Sequence, residues 1–243
     1  MQRSAPRLSR VLACAAVPVM LVAAGCSSGS DSGGKGSGSP DSSSSVSAAP
    51  KPTQSTKAVE PARFAKLPDV CKSISVKTIE TLVPKAKNKN GTAAASSDVA
   101  SRGGCSWNGL EDKGVKGSQY RWLDVSFYRY ASDVTLGSGQ ERAAENYVKE
   151  LAKVQATPGA KGLRTAAAPG VGEKAESVSF GLRKTDADFR YASVVARTGN
   201  VVVVLSFNGA GYAGEKTPSE KWIVDGALKA AKEAVAAVAA ANK

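Results

Sequence analysis

Histidine is absent from all 243 residues of this chain. Its absence removes the imidazole base of Ser–His–Asp and Cys–His nucleophilic chemistry. It also removes the commonest zinc ligand, so a zinc site would have to be built from carboxylates, and no metal site is expected. Cysteine is scarce, with four residues: Cys14, Cys26, Cys71 and Cys105. Aromatic residues make up 6% of the chain. Trp107, Trp122, Trp222 and the tyrosines read first as core and sheet-face residues; Trp122, Tyr128 and Tyr130 are the candidates for a ligand-binding face. Long apolar runs are missing too. The run from Val11 to Val22 is interrupted by Pro18. At about a dozen residues it falls short of the ~20 that a helix needs to span a bilayer.

That run has the layout of an export signal instead. Arg3, Arg7 and Arg10 precede it, and the small residues Ala23, Ala24 and Gly25 follow, as a signal peptide requires. The competing reading is an ordinary secretory signal cut near Ala24, with Cys26 incidental. The stretch Leu21-Val22-Ala23-Ala24-Gly25-Cys26, with serines after it, resembles the lipobox of bacterial lipoproteins. The resemblance implies that residues 1–25 are a lipoprotein signal peptide. It implies that the Cys26 thiol receives a diacylglycerol and that Cys26 becomes an acylated mature N-terminus. Two or more chains of the palmitate kind anchor stably, where one alone is marginal. The expected location is therefore the cell membrane, lipid-anchored, on its extracytoplasmic face.

Residues 26–61 then read as the lipidated Cys and a Ser/Gly/Pro-rich tether. Such a composition cannot bury enough apolar surface to offset ordering entropy, and it predicts disorder. A coil of this length reaches roughly 30 Å. The tether is neutral, so the formal charge of +12, less Arg3, Arg7 and Arg10 of the signal, leaves about +9 on residues 62–243. Nucleic acid is the usual partner of so basic a domain, but an exported domain seldom meets it. The anions outside the membrane are lipid headgroups and cell-wall polymers. The partners expected are the membrane through the anchor and an anionic envelope polymer, lipid or protein, with no nucleic acid. A solvated basic surface with no dedicated partner is the plainer alternative. Cys14 leaves with the signal, so Cys71 and Cys105 remain in an oxidising compartment and read as one disulfide. Closing a loop of ~34 residues contributes on the order of 3 to 4 kcal/mol in the chain-entropy picture.

Residues 62–243 suit a single domain. Val76, Ile79, Leu82 and Val83 recur at helical spacing between a Ser75 cap and Pro84. Lys85 to Arg102 reads as a loop, Cys105-Ser106-Trp107 as the start of a strand, and Leu110 to Gln119 as a turn. Trp122 to Tyr130 alternates as a strand, with Leu123, Val125 and Phe127 on one face and Asp124, Ser126 and Tyr128 on the other. Ser138-Gly139-Gln140-Glu141 is a capping box. It opens a helix to about Gln155 whose predicted stripe is Ala144, Tyr147, Val148, Leu151 and Val154. Three strands follow: Ser177 to Arg183, Phe189 to Arg197 and Val201 to Phe207. The last two join at Gly199-Asn200, a hairpin signal. Thr217-Pro218-Ser219-Glu220 combines a capping box with Pro at the first helical position and opens a final helix, with Trp222, Ile223, Leu228, Val235 and Val238 as its stripe. Strands joined by short turns predict α+β: an antiparallel sheet of about five strands with helices packed on one face.

Several motifs carry less than they suggest. Gly209-Ala210-Gly211-Tyr212-Ala213-Gly214 fits the dinucleotide pattern GxGxxG. The next helix starts too late to hold a phosphate, and no second parallel strand follows. No nucleotide cofactor is expected, and a flexible loop is the simpler reading. Pro169-Gly170-Val171-Gly172 reads as a turn whose glycines permit positive φ. Arg197-Thr198-Gly199 lacks the Ser-x-x-Lys partner of penicillin-binding enzymes. Asp186 and Asp188 are two carboxylates in a turn, too few for Ca²⁺. Carboxylate pairs, Ser–Lys or Tyr can catalyse without histidine, but no pair here has selective spacing, and no catalytic residue is assigned.

The combined pattern is a lipobox and tether, a Cys before a short helix, then Cys-x-Trp, a strand and a capped helix. Pro-Gly-Val-Gly-Glu-Lys-Ala and Arg-Thr-Gly-Asn-Val-Val-Val follow. This resembles the actinobacterial lipoproteins grouped as the domain of unknown function 3558, over about residues 67 to 240. The resemblance implies the same α+β domain and disulfide and brings no activity, cofactor or catalytic residue. The expectation is a membrane-anchored, non-catalytic binding or interaction domain at the cell envelope. The alternatives are an envelope-polymer hydrolase or transferase using carboxylates, and an accessory subunit of a membrane transporter or sensor kinase.

Overall fold

A computed structural model describes residues 58–243. The signal peptide, Cys26 and the tether as far as residue 57 lie outside the described residues. Seven strands form one antiparallel sheet: β1 Thr92–Ala93, β2 Arg102–Asp112, β3 Ser118–Arg129, β4 Lys161–Ala167, β5 Lys174–Lys184, β6 Ala187–Thr198 and β7 Val201–Tyr212. Their order across the sheet is β1-β2-β3-β7-β6-β5-β4. Three α-helices accompany it: α1 Val76–Leu82, α2 Gly139–Gln155 and α3 Glu220–Ala241. The chain is thus α+β with an antiparallel sheet, of seven strands rather than about five.

The two additional strands are edges that carry no apolar alternation. β1 is two residues long, and every residue of β4 is exposed. β4 exists because β5 offers it a ladder, and a register shift between Lys161 and Arg164 bends it. Short, bulged, charged edges of this kind discourage pairing with other chains. The turn between β2 and β3 is also tighter than predicted. Leu110–Asp112 and Ser118–Gln119 belong to the strands, leaving five residues whose Gly114 and Gly117 take positive φ.

Both faces of the sheet carry a helix, where one face was expected. α3 and α1 lie on the face formed by Leu123, Val125 and Phe127 of β3, Val203, Leu205 and Phe207 of β7, and Ala192, Val194 and Ala196 of β6. α3 meets them with Ile223, Ala227, Ala230, Ala231, Ala234 and Val238, all fully buried. The predicted stripe contained Trp222 and Leu228, but Leu228 is only partly buried and Trp222 stays 37% exposed. α2 lies on the opposite face, where Ala143 and Tyr147 pack on Val195 and Val202. The first half of β7, residues 201–205, is therefore apolar on both sides, as a central strand should be.

The capping box at Ser138 and Glu141 is formed, and Ser75 caps α1, but α3 is capped by Ser219 rather than Thr217, whose hydroxyl donates to the Asp188 carbonyl instead. The buried stripe of α2 runs through Ala143 and Tyr147 with Leu151 and Val154 beside it, while Val148 is 58% exposed. Cys71 and Cys105 are bonded, with Cα atoms 5.2 Å apart. The bond joins the segment before α1 to β2. Trp107 donates from Nε1 to the Lys89 carbonyl at 3.2 Å, so the loop between the cysteines is held from inside.

Asn200 does more than turn the β6–β7 hairpin. Its buried amide accepts from Phe64 N at 2.7 Å and donates to the carbonyls of Phe64 and Tyr130. At the same end of the sheet, Asn242 accepts from the backbone of Ala65 and Lys66, and Ser132 Oγ donates to the Glu60 carbonyl. Residues 60–66 and the end of α3 thus meet at the end of the sheet where β3 finishes and β7 begins.

Candidate functional site

The face of the sheet that carries α2 is only half covered. Strand alternation places Tyr120, Trp122, Asp124, Ser126 and Tyr128 of β3 on this face, and cross-strand pairing sets Ala210, Asn208, Ser206, Val204 and Val202 of β7 beside them. β6 continues the rows with Phe189, Tyr191, Ser193 and Val195. The composition changes along the strands. Val195, Val202 and Val204 lie under α2, and Tyr147 of that helix donates its hydroxyl to Glu176 at 3.2 Å. Beyond Ser193 and Ser206 the row turns aromatic and polar, and no helix of the described residues crosses it.

This uncovered half is an open cleft of about 410 Å³. Trp122 and Asp124 come from β3, Ser206 and Asn208 from β7, and Lys184 stands at the rim. Its rings brace one another. Phe189 meets Tyr120 edge-on at 6.0 Å and Tyr212 edge-on at 6.4 Å. Tyr191 stacks on Phe180 of β5 at 5.1 Å with the planes 4° apart. Such arrangements are the favoured ones for ring quadrupoles. Lys184 donates from Nζ to the Tyr191 hydroxyl at 3.0 Å and lies 5.2 Å from that ring's centroid.

Asp124 is the one carboxylate lining the cleft. Trp122 donates to it from Nε1 at 2.9 Å. Burial pushes its pKa up from 3.8 to about 6, held back only by that indole N–H. Desolvation without a neighbouring cation has this effect on a carboxyl group. The Tyr120 phenol is likewise raised, first by burial and then by Tyr212 and Tyr191.

The strand under the cleft is fixed from the opposite face. Arg121 is buried there, donates to the Tyr120 carbonyl at 2.8 Å and to Gln119 at 2.6 Å, and lies 5.0 Å from the Trp222 ring. Gly209 makes room for it: a β-carbon at that position would come within 2.8 Å of the guanidinium. Two of the three glycines of the GxGxxG pattern therefore serve packing, while Gly214 faces open space at positive φ. Gly209 and Gly211 are strand residues rather than part of a flexible loop, and Gly211 lies against the backbone of Glu215.

The three aromatic residues singled out in the sequence share a face but not a site. Trp122 lines the cleft. Tyr128 and Tyr130 flank α2 and border a separate hollow of about 220 Å³ with Arg102, Arg129 and Arg142. Tyr120, Asp124, Phe189, Tyr191 and Tyr212 were missed as site residues. Their signal was the i, i+2 spacing of Tyr120, Trp122 and Asp124 and of Phe189 and Tyr191. Only the pairing of β3, β7 and β6 brings those sets together. Asp186 and Asp188 lie at the β5–β6 turn, within 4.0 and 3.3 Å of Arg183. Arg197 is paired with Glu173 at 3.0 Å. Gly170 and Gly172 take positive φ. Among the described residues no helix is long and apolar enough to cross a membrane. A scan against protein-family models found no match to this chain, and a search of curated proteins found none either.

Proposed function

We propose that this protein is a lipid-anchored, extracytoplasmic binding module whose ligand occupies the aromatic cleft. The observation that carries the reading is the half-covered sheet face. Four strands, β3, β7, β6 and β5, bring rings, an amide, hydroxyls and a half-buried carboxylate together, where a purely structural face would be covered or polar. A concave, mostly apolar surface with a few convergent polar groups is the usual form of a small-ligand site. The lipobox-like sequence at Cys26 supports the anchor, and the Ser/Gly/Pro-rich segment supports a tether. A single lining carboxylate speaks against glycoside hydrolysis, which uses two carboxyl groups about 5 to 9.5 Å apart.

Native mass spectrometry of the full chain, extracted from the membranes of the cells that export it, tests the reading. The expected result is a non-covalent mass that leaves on denaturation and is absent from a Trp122→Ala, Tyr191→Ala double variant. Bare protein from both, or a retained mass in the double variant, removes the cleft from the proposal.

A further inference from the structure

We propose that the cleft receives an organic ammonium group, a protonated or quaternary amine, seated on its ring faces and paired in charge with Asp124. This deepens the reading of the cleft as a ligand site and rests on it. Three observations combine. First, among the described residues Asp124 has no Lys or Arg within ion-pair distance, and its one donor is the neutral Trp122 indole. A half-buried carboxylate with a single neutral protein donor keeps acceptor positions open toward the cleft for a ligand to fill. Second, the walls around it are aromatic, and ring faces attract cations most strongly where water is partly excluded. Third, this wall already accepts an ammonium, since Lys184 Nζ donates to the Tyr191 hydroxyl at 3.0 Å, 5.2 Å from the ring centroid.

Charge complementarity selects among ligand classes. An anion would meet the half-buried Asp124 charge. An uncharged sugar would find the rings and hydrogen-bonding groups but leave the carboxylate without a counter-charge. An ammonium group uses both. Its binding requires Asp124 to be ionised, so affinity falls as pH drops through about 6, and binding near that pH releases a proton. The groups facing Asp124 are otherwise neutral: Ser106 from β2 and Ser206 from β7 lie opposite it, and Trp122 is its neighbour on β3. Lys184 at the rim is the one other charged residue lining the cleft, with Tyr120, Tyr191 and Tyr212 as its phenols.

The three tryptophans make a direct measurement available. In detergent, the full chain labelled at indole nitrogen gives a resonance for Trp122 that Trp122→Phe identifies. It is titrated at pH 7.5 with choline, with ethanolamine, with choline's neutral carbon isostere, and with a chitin trisaccharide. The expected result is a saturable shift of the Trp122 resonance by an amine, with Trp107 unmoved. The isostere and the Asp124→Asn variant should each bind roughly tenfold more weakly or worse. An isostere that binds equally well, or an Asp124→Asn variant with unchanged affinity, overturns the inference. A shift by the trisaccharide alone overturns it too, while leaving the cleft as a binding site. No shift with any probe also rejects it, and the native mass then decides whether the cleft binds anything.

Discussion

Asp124 is the residue whose chemistry runs against its surroundings. Folding raises its pKa from 3.8 to about 6 because burial disfavours the charged form. The sign follows from linkage: the folded state binds the proton more tightly than the unfolded chain. The stability associated with that proton is fully present below about pH 4 and is lost as pH rises through about 6. At neutral pH the ionised group costs on the order of 3 kcal/mol relative to acid. Asp124→Asn keeps the shape and removes the charge. Calorimetric scans should show the variant melting several degrees higher at pH 7.5, at about 2 to 4 °C per kcal/mol for a domain of this size. At pH 4 the two proteins should melt together. Equal melting at both values would mean that the carboxylate is well solvated in the folded state. A stability loss retained at the mouth of a cleft is the pattern expected of a group kept for binding. Little of this is legible in the chain: alternation puts Asp124 on the face opposite Leu123, Val125 and Phe127, but its burial depends on the strands paired beside it.

Elements whose signals are local were read well. The Ser138 capping box, the Ser75 cap and the Gly199-Asn200 turn each depend on residues within four positions, and each is formed. Errors came where a distant partner decides the outcome. α2 was expected to bury Ala144 and Val148, but it crosses only half of a sheet face and buries the narrower stripe through Ala143 and Tyr147. β4 has no inward side, so nothing in Lys161–Ala167 announces it. The Cys71–Cys105 bond joins the two kinds of segment, since it ties the chain before α1 to β2 and encloses a 34-residue separation. Replacing both cysteines by serine should lower stability by about 2 to 5 kcal/mol. Urea melts of the oxidised protein and the double variant would show it as a lower midpoint. The loss should open the loop between them first, because Gly91 sits against Cys105 and Trp107. Unchanged midpoints would mean that the Trp107 contacts alone hold that loop.

For the whole molecule, the proposal of a membrane tether is tested at Cys26. Intact mass of the mature protein should begin at Cys26 and exceed the polypeptide mass by a diacylglycerol and further acylation. Cys26→Ser should abolish the addition, and a mature N-terminus elsewhere would return the signal to the ordinary secretory kind. The sequence made the order of most elements and the α+β class legible, because both follow from periodicity and turn residues. It did not reveal which half of the sheet stays bare, because that depends on where α2 crosses. One further feature bears on use rather than binding. Residues 60–66 and Asn242 meet at one end of the sheet, whereas Tyr120, Trp122 and Tyr212 lie toward the other. Eight residues of strand separate Trp122 from Tyr130, about 26 Å at 3.3 Å per residue. The described residues are therefore polarised, with 60–66 and Asn242 at one pole and the cleft toward the other. A bead, dye or second copy fused at the C-terminus would sit clear of the cleft. Copies strung end to end would form a comb of clefts, in which a repetitive ligand is held by effective concentration rather than by the strength of any single site.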